Sequence, residues 1–126
     1  MATTVSCLLP EHSVVEFHHV GVVTEEELAT AFGEMVALAQ ANDIWHVMSD
    51  CTDLTEGPRF LEMLPFVEAL RGFGVKERFR QALVRPVDVK GRAAVDYWHA
   101  SMTDHGLTVL SFDHRSEALG WLATQP

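Results

Sequence analysis

The stretch Val14-Val15-Glu16-Phe17-His18-His19-Val20-Gly21-Val22-Val23-Thr24-Glu25-Glu26-Glu27-Leu28 decides the fold, because it changes period in mid-course. Ser13–Val20 reads as a strand rich in β-branched residues. Val14, Glu16, His18 and Val20 share one face, and Val15, Phe17 and His19 share the other. Thr24 then reads as a helix N-cap, with Glu27 three residues on completing a capping box. Glu25 and Glu26 suit the positive end of the helix dipole. From there the apolar spacing is helical: Leu28, Phe32, Met35, Val36 and Ala39 form an inward stripe that ends at Asn42-Asp43. A strand that hands over directly to a capped helix is the opening of an α/β fold.

Working outward, Thr4–Leu9 is a second β-branched run, joined to the first through the turn-like Pro10-Glu11-His12, which predicts a hairpin. Downstream, Ile44–Ser49 reads as a short strand and Asp50–Glu56 as a polar loop. Gly57-Pro58 opens a second helix that runs to about Leu70, with Pro65 expected to kink or split it. Arg80–Arg85 is a strand stopped by Pro86. Lys90–Asp104 is a helix with an apolar stripe of Ala94, Tyr97, Trp98 and Met102, closed by Gly106. Leu107–Phe112 is the last strand, and a short helix follows from Ser116. The order is β-β-α-β-α-β-α-β-α: a mixed, mostly parallel five-stranded sheet with about four helices, antiparallel at its first strand. Strand order is left open.

Composition narrows the function. The chain has 126 residues, enough for one domain, 1–126, with a core of its own. Hydrophobic residues make up 48% and charged residues 21%, which excludes a disordered chain. Eighteen acidic against nine basic residues give a net charge of −9, which argues against nucleic acid or an anionic membrane surface as a partner. No apolar run approaches a membrane span, so no stable membrane insertion is expected, and no leader-like segment is seen. A cytoplasmic location and two reduced cysteines in or near the core, Cys7 and Cys51, are the expectations.

Four landmarks carry a resemblance. They are Gly21-Val22-Val23-Thr24 leading into Glu25-Glu26-Glu27-Leu28; Ser49-Asp50 followed by Leu54-Thr55-Glu56-Gly57; the strand Gln81–Arg85 followed by a helix bearing an aromatic pair; and Phe112-Asp113 followed by Glu117-Ala118-Leu119-Gly120-Trp121-Leu122. In this order the chain resembles the SpoIIAA-like branch of the STAS and Sec14-related superfamily. The resemblance implies a STAS-like fold and one of two activities. Anti-sigma-factor antagonists bind a protein partner and are switched by phosphorylation at a Ser or Thr before the second main helix. Here Glu56 stands at the acceptor position with Thr55 beside it, and a single glutamate charge falls short of phosphate's roughly −1.5 to −2. Sec14-type relatives hold lipid between sheet and helices, but carry additional helices that this chain lacks.

Open α/β sheets favour ligands at the carboxyl ends of their strands. These ends supply Ser49, Asp50, Thr52 and Asp53, then Arg85 and Asp88, then Asp113, His114 and Arg115. No catalytic constellation, metal-ligand spacing or phosphate loop assembles among them, so no catalytic residue, metal or cofactor is expected. The adjacent His18 and His19 point to opposite faces of a strand and share no ion. The helix entry at Thr55-Glu56-Gly57 offers backbone N–H groups to an anion, against which Glu56 works.

The second helix carries more apolar residues than one stripe holds. Phe60, Leu64 and Val67 suit the sheet, whereas Met63, Phe66 and Phe73 do not all reach it from a straight helix. Either the Pro65 kink brings both faces to the core, or one face meets a partner. The leading expectation is a non-enzymatic, STAS-like interaction or regulatory module that binds a protein partner or a second copy as a homodimer. Its contact surface would be the loop of Asp50, Thr52, Asp53, Thr55, Glu56 and Gly57 with the helix bearing Met63, Phe66, Leu70 and Phe73. The alternative is a small carrier holding a lipid or other apolar ligand beside Tyr97 and Trp98. Phosphorylation at Thr52 or Thr55 is a rider on the first expectation, and an enzyme using Asp50, Asp113 and His114 is a third.

Overall fold

The computed structural model describes residues 4–126. Strand β1 (Thr4–Leu9) and β2 (Val14–Val22) form the expected antiparallel hairpin, joined by a single 3-10 turn at Pro10–His12. Helix α1 (Glu25–Asn42) follows, then β3 (His46–Glu56), α2 (Phe60–Gly72), β4 (Arg80–Val84), α3 (Val89–Asp104), β5 (Thr108–Phe112) and α4 (Arg115–Ala123). The five strands lie side by side in chain order, β1-β2-β3-β4-β5, and every pair from β2 to β5 is parallel.

Chain order explains where the helices sit. Parallel strands added always in the same direction need right-handed crossovers of one kind, which bring each connecting helix to the same side of the sheet. Helices α1, α2 and α3 therefore cover one face over the main core, which includes Val15, Phe17, Val47, Leu83 and Val109. Helix α4 follows the last strand and covers the other face over a smaller cluster of Val14, Met48, Ala82, Val84, Ala118 and Leu122. The two clusters divide β2 as the alternation predicts, with Val14 on one side and Val15 and Phe17 on the other. The start of α1 also follows the sequence: Thr24 Oγ1 accepts from the Glu27 N–H at 3.2 Å, and the Glu27 carboxylate reaches back to the Thr24 N–H at 3.4 Å.

Several expectations need correction. Asp50, Thr52, Asp53, Thr55 and Glu56 lie on a strand, not in a loop. β3 runs on to Glu56 because β2 continues beside it, with Val20 opposite Asp53, Gly21 opposite Leu54 and Val22 opposite Glu56, through two register shifts. β4 reaches only as far as the Val84–Asp50 pair, so the end of β3 projects beyond it. Pro58 is not the first helical residue: α2 begins at Phe60 behind an Arg59 N-cap, whose N–H donates to Glu62 Oε1 at 2.9 Å. Pro65 does not split α2, which runs unbroken to Gly72. Pro65 and Leu61, whose carbonyl loses its helical donor, are both exposed, so water can satisfy that carbonyl.

Most of the apolar side chains on α2 find partners, Leu61 excepted. Met63, Val67 and Leu70, at i, i+4 and i+7, form the buried stripe. Phe66 packs on Phe32 with ring centroids 5.5 Å apart, and Phe73 on Trp45 at 6.4 Å. Phe60 does not face the sheet but meets Tyr97 of α3 edge-on at 6.3 Å. Tyr97 accordingly leaves the predicted inward stripe of α3, whose buried residues are Gly91, Ala94, Val95, Ser101 and Met102. Cys7 is exposed on edge strand β1, so only Cys51 is a core thiol.

Two glycines hold the helices close to the sheet. A β-carbon on Gly91 would stand 2.3 Å from the Leu54 carbonyl oxygen, and one on Gly57 would stand 2.8 Å from the Ala94 β-carbon. The first turn of α3 thus rests on the end of β3, and the entry to α2 rests on α3.

Candidate functional site

The crossover arrangement leaves a cavity of about 80 Å³ between the sheet and the covering helices. Its floor comes from alternate residues of adjacent strands: Phe17 and His19 from β2, Ser49 and Cys51 from β3, Gln81 and Leu83 from β4. Its roof includes Leu28 and Phe32 of α1, Met63 of α2 and Trp98 of α3. The walls are apolar apart from a few groups near the middle of the floor.

Those polar groups are ordered by a buried hydrogen-bond chain. Trp98 Nε1 donates to Gln81 Oε1 at 2.7 Å, and Gln81 Nε2 donates to Ser49 Oγ at 2.9 Å. An indole N–H is a donor only, so it fixes which end of the amide faces Trp98 and sends the Gln81 NH₂ toward Ser49. Gln81 and Ser49 are both buried, and each partner satisfies a group whose exposure to an apolar wall would otherwise be costly.

His19 is 8% exposed, and its Nδ1 lies 2.9 Å from Thr4 Oγ1 of β1. Burial, with His18 beside it and against the pull of Asp50, lowers its pKa from 6.5 to about 4, so the imidazole is neutral near pH 7. Burial also pushes the Cys51 thiol up to about 12, helped by Asp50, so it stays protonated and contributes no nucleophile.

The polar residues picked out at the strand ends do not come together. Ser49 faces the cavity, whereas Asp50, one residue on, faces α4. There Arg115 of α4 pairs with Glu16 of β2 and lies 3.7 Å from Asp50 Oδ2. The Thr52 hydroxyl donates to Asp50 Oδ1 at 2.6 Å, and His18 Nε2 lies 3.1 Å from Asp53 Oδ2. Asp88 caps α3 by accepting from the Lys90 and Gly91 N–H groups. Asp113 and His114 are exposed. Sheets whose strand order reverses open a crevice at the reversal, but β2 to β5 advance in one direction, so no such crevice forms. Among the described residues, no group of three or more His, Cys, Asp or Glu side chains is placed to hold a metal ion.

The residues grouped as a contact surface also separate. Met63, Leu70 and Trp98 line the cavity, while Phe66, Phe73 and Tyr97 pack outside it against Phe32, Trp45 and Phe60. Thr55 and Glu56 are exposed at the end of β3, and Gly57 lines the cavity. His19, Cys51 and Gln81 also belong to the site, and sequence reasoning misses them as ligand contacts. Their signal was a polar or titratable residue on the inward face of an otherwise apolar strand.

Among the described residues, no helix is long and apolar enough to cross a membrane. Neither a protein-family model nor a curated protein matches the sequence. Among solved structures, the chain is similar to an uncharacterized protein of the DUF3478 family from Shewanella loihica PV-4, described as having a SpoIIAA-like fold. The likeness has a TM-score of 0.60 at 17% identity and covers 97% of this chain and 95% of that one. The mixed five-stranded sheet, its single antiparallel edge and its four helices are those of a SpoIIAA-like fold.

Proposed function

We propose that this chain is a non-enzymatic binding module that holds a small, mostly apolar molecule between its sheet and helices α1, α2 and α3. The observation that carries the reading is the cavity itself. A well-packed core leaves few voids larger than a water molecule, and this one is about 80 Å³, with the Ser49–Gln81–Trp98 chain held at its floor. An apolar enclosure with a few fixed polar groups is the usual form of a small-molecule site. The volume sets the scale of the occupant. It is about half of the roughly 150 Å³ that accepts benzene. A space of this size suits a short molecule, not a whole lipid chain.

The test is native mass spectrometry of untagged protein from its own cells, under gentle conditions. A reproducible small adduct, lost when Ala94→Phe fills the cavity, is the expected result. A bare chain from every preparation overturns the reading.

A second reading, a protein-contact face, is supported by exposed side chains near the starts of α2 and α3. Leu61, Val87 and Val89 are 75%, 84% and 81% exposed, far more than apolar side chains need to be. A homodimer or a protein partner would cover them. Sedimentation should then show a concentration-dependent dimer that Leu61→Asp dissociates, and a monomer at all concentrations with no captured partner dismisses this reading. Phosphorylation at Thr52 or Thr55, both exposed, belongs with it and predicts a phosphorylated species in cells.

A further inference from the structure

The direction of the buried hydrogen-bond chain says what kind of molecule the cavity takes, an inference that rests on the binding reading above. Trp98 donates to Gln81 and Gln81 donates to Ser49, so one lone pair of the Ser49 oxygen is occupied and its own proton has to go elsewhere. Among the described residues, no side chain or main-chain group accepts that proton. Ser49 lies on the cavity floor, and no carboxylate, ammonium or guanidinium lines the space. An ionised guest would be desolvated there without a counter-charge, which costs far more than one hydrogen bond returns. A guest carrying a neutral acceptor meets a waiting donor.

We propose that the cavity selects a short apolar molecule bearing an uncharged carbonyl-type acceptor, such as a ketone, aldehyde, ester or amide, which receives the Ser49 hydroxyl proton, and that it excludes carboxylates and amines of the same shape.

The experiment titrates the full chain with three probes, followed by methyl NMR shifts of the cavity residues. Xenon reports an open apolar space, butanone adds a neutral acceptor, and butyrate replaces it with a charge. Xenon and butanone should bind the wild type, and butyrate should give no saturable shift at pH 7. Ser49→Ala should weaken butanone about fivefold, the effect of one net hydrogen bond, and leave xenon unchanged. Because Ser49→Ala also deprives the Gln81 amide of its acceptor, Ser49→Cys is measured beside it. The thiol occupies the same place as a much weaker donor and should also weaken butanone alone. The proposal is overturned if both variants bind butanone like the wild type, if they weaken xenon and butanone equally, or if butyrate binds as well as butanone. If xenon binds and butanone does not, the acceptor assignment fails while the binding reading stands. If no probe enters the wild type, both fail.

Discussion

Acid should destabilise this fold through a single histidine, and the size of the effect follows from where His19 sits. The perturbation is a fall in pH from 7 to 5. In the unfolded chain His19 takes up a proton around pH 6.5, whereas in the folded protein burial against the cavity floor delays this to about 4. Between those values the unfolded state binds more protons, so stability is complete above about pH 6.5 and declines as pH falls toward 4. At about 1.4 kcal/mol for each pH unit, the whole window is worth about 3 kcal/mol, and about 2 kcal/mol of it is spent by pH 5. Urea unfolding at a series of pH values measures the loss. Carboxylates contribute their own pH dependence, so the assay compares wild type with His19→Asn, which keeps a polar group near Thr4 but does not titrate. The stability gap between the two proteins should shift by about 2 kcal/mol from pH 7 to pH 5, in favour of the variant at the lower pH. A gap that stays constant across that range would refute the reasoning, because it would mean His19 takes up its proton as readily folded as unfolded.

Other perturbations have equally definite outcomes. Gln81→Leu leaves the Trp98 N–H and the Ser49 hydroxyl without their partner, and should cost about 2–4 kcal/mol in urea unfolding, with a shift in indole emission. Gly91→Ala drives a β-carbon into the Leu54 carbonyl, so a loss of about 1–3 kcal/mol is expected, and an unchanged midpoint would contradict the close approach of α3 to β3. Phe79→Ala empties a fully buried site and should cost about 3–5 kcal/mol by the same assay. Iodoacetamide at pH 8 should label exposed Cys7 in the native protein, while Cys51, buried with its thiol pushed up to about 12, reacts only after unfolding.

The fold was legible wherever one local rule acted alone. The Thr24–Glu27 capping box, the two-residue alternation of β2 and the strand–helix succession each appear in the structure as read. The readings that failed were those where a neighbour overrode local chemistry. Asp50–Glu56 looks like a loop because it is polar and threonine-rich, yet it is held extended by the adjacent end of β2. Pro65 looks like a helix breaker, yet on a solvent face a missing hydrogen bond is made good by water. Phe66 and Phe73 read as part of a surplus face, and Phe60 as facing the sheet, because their partners Phe32, Trp45 and Tyr97 belong to other elements, and no pattern within α2 reveals them. The site was less legible than the fold. Ser49 stands out by its place at a strand end, whereas Gln81 reads only as the first residue of a landmark strand and carries no sign of a binding role. The link between them depends on β3 and β4 being neighbours in register, with Val47 opposite Gln81 and Ser49 opposite Leu83. Sequence showed two polar residues in apolar strands, and only the sheet shows that they join through Trp98 into one directed chain.

Xenon-dependent methyl NMR reads directly whether the space above Ser49 and Gln81 admits a guest. Under a few atmospheres of xenon, saturable shifts should be confined to methyl groups lining the cavity, such as those of Leu28, Met35, Met63, Leu83 and Val95, and be abolished by Ala94→Phe. Shifts spread evenly over the surface, or cavity methyls that do not respond at any pressure, would contradict it.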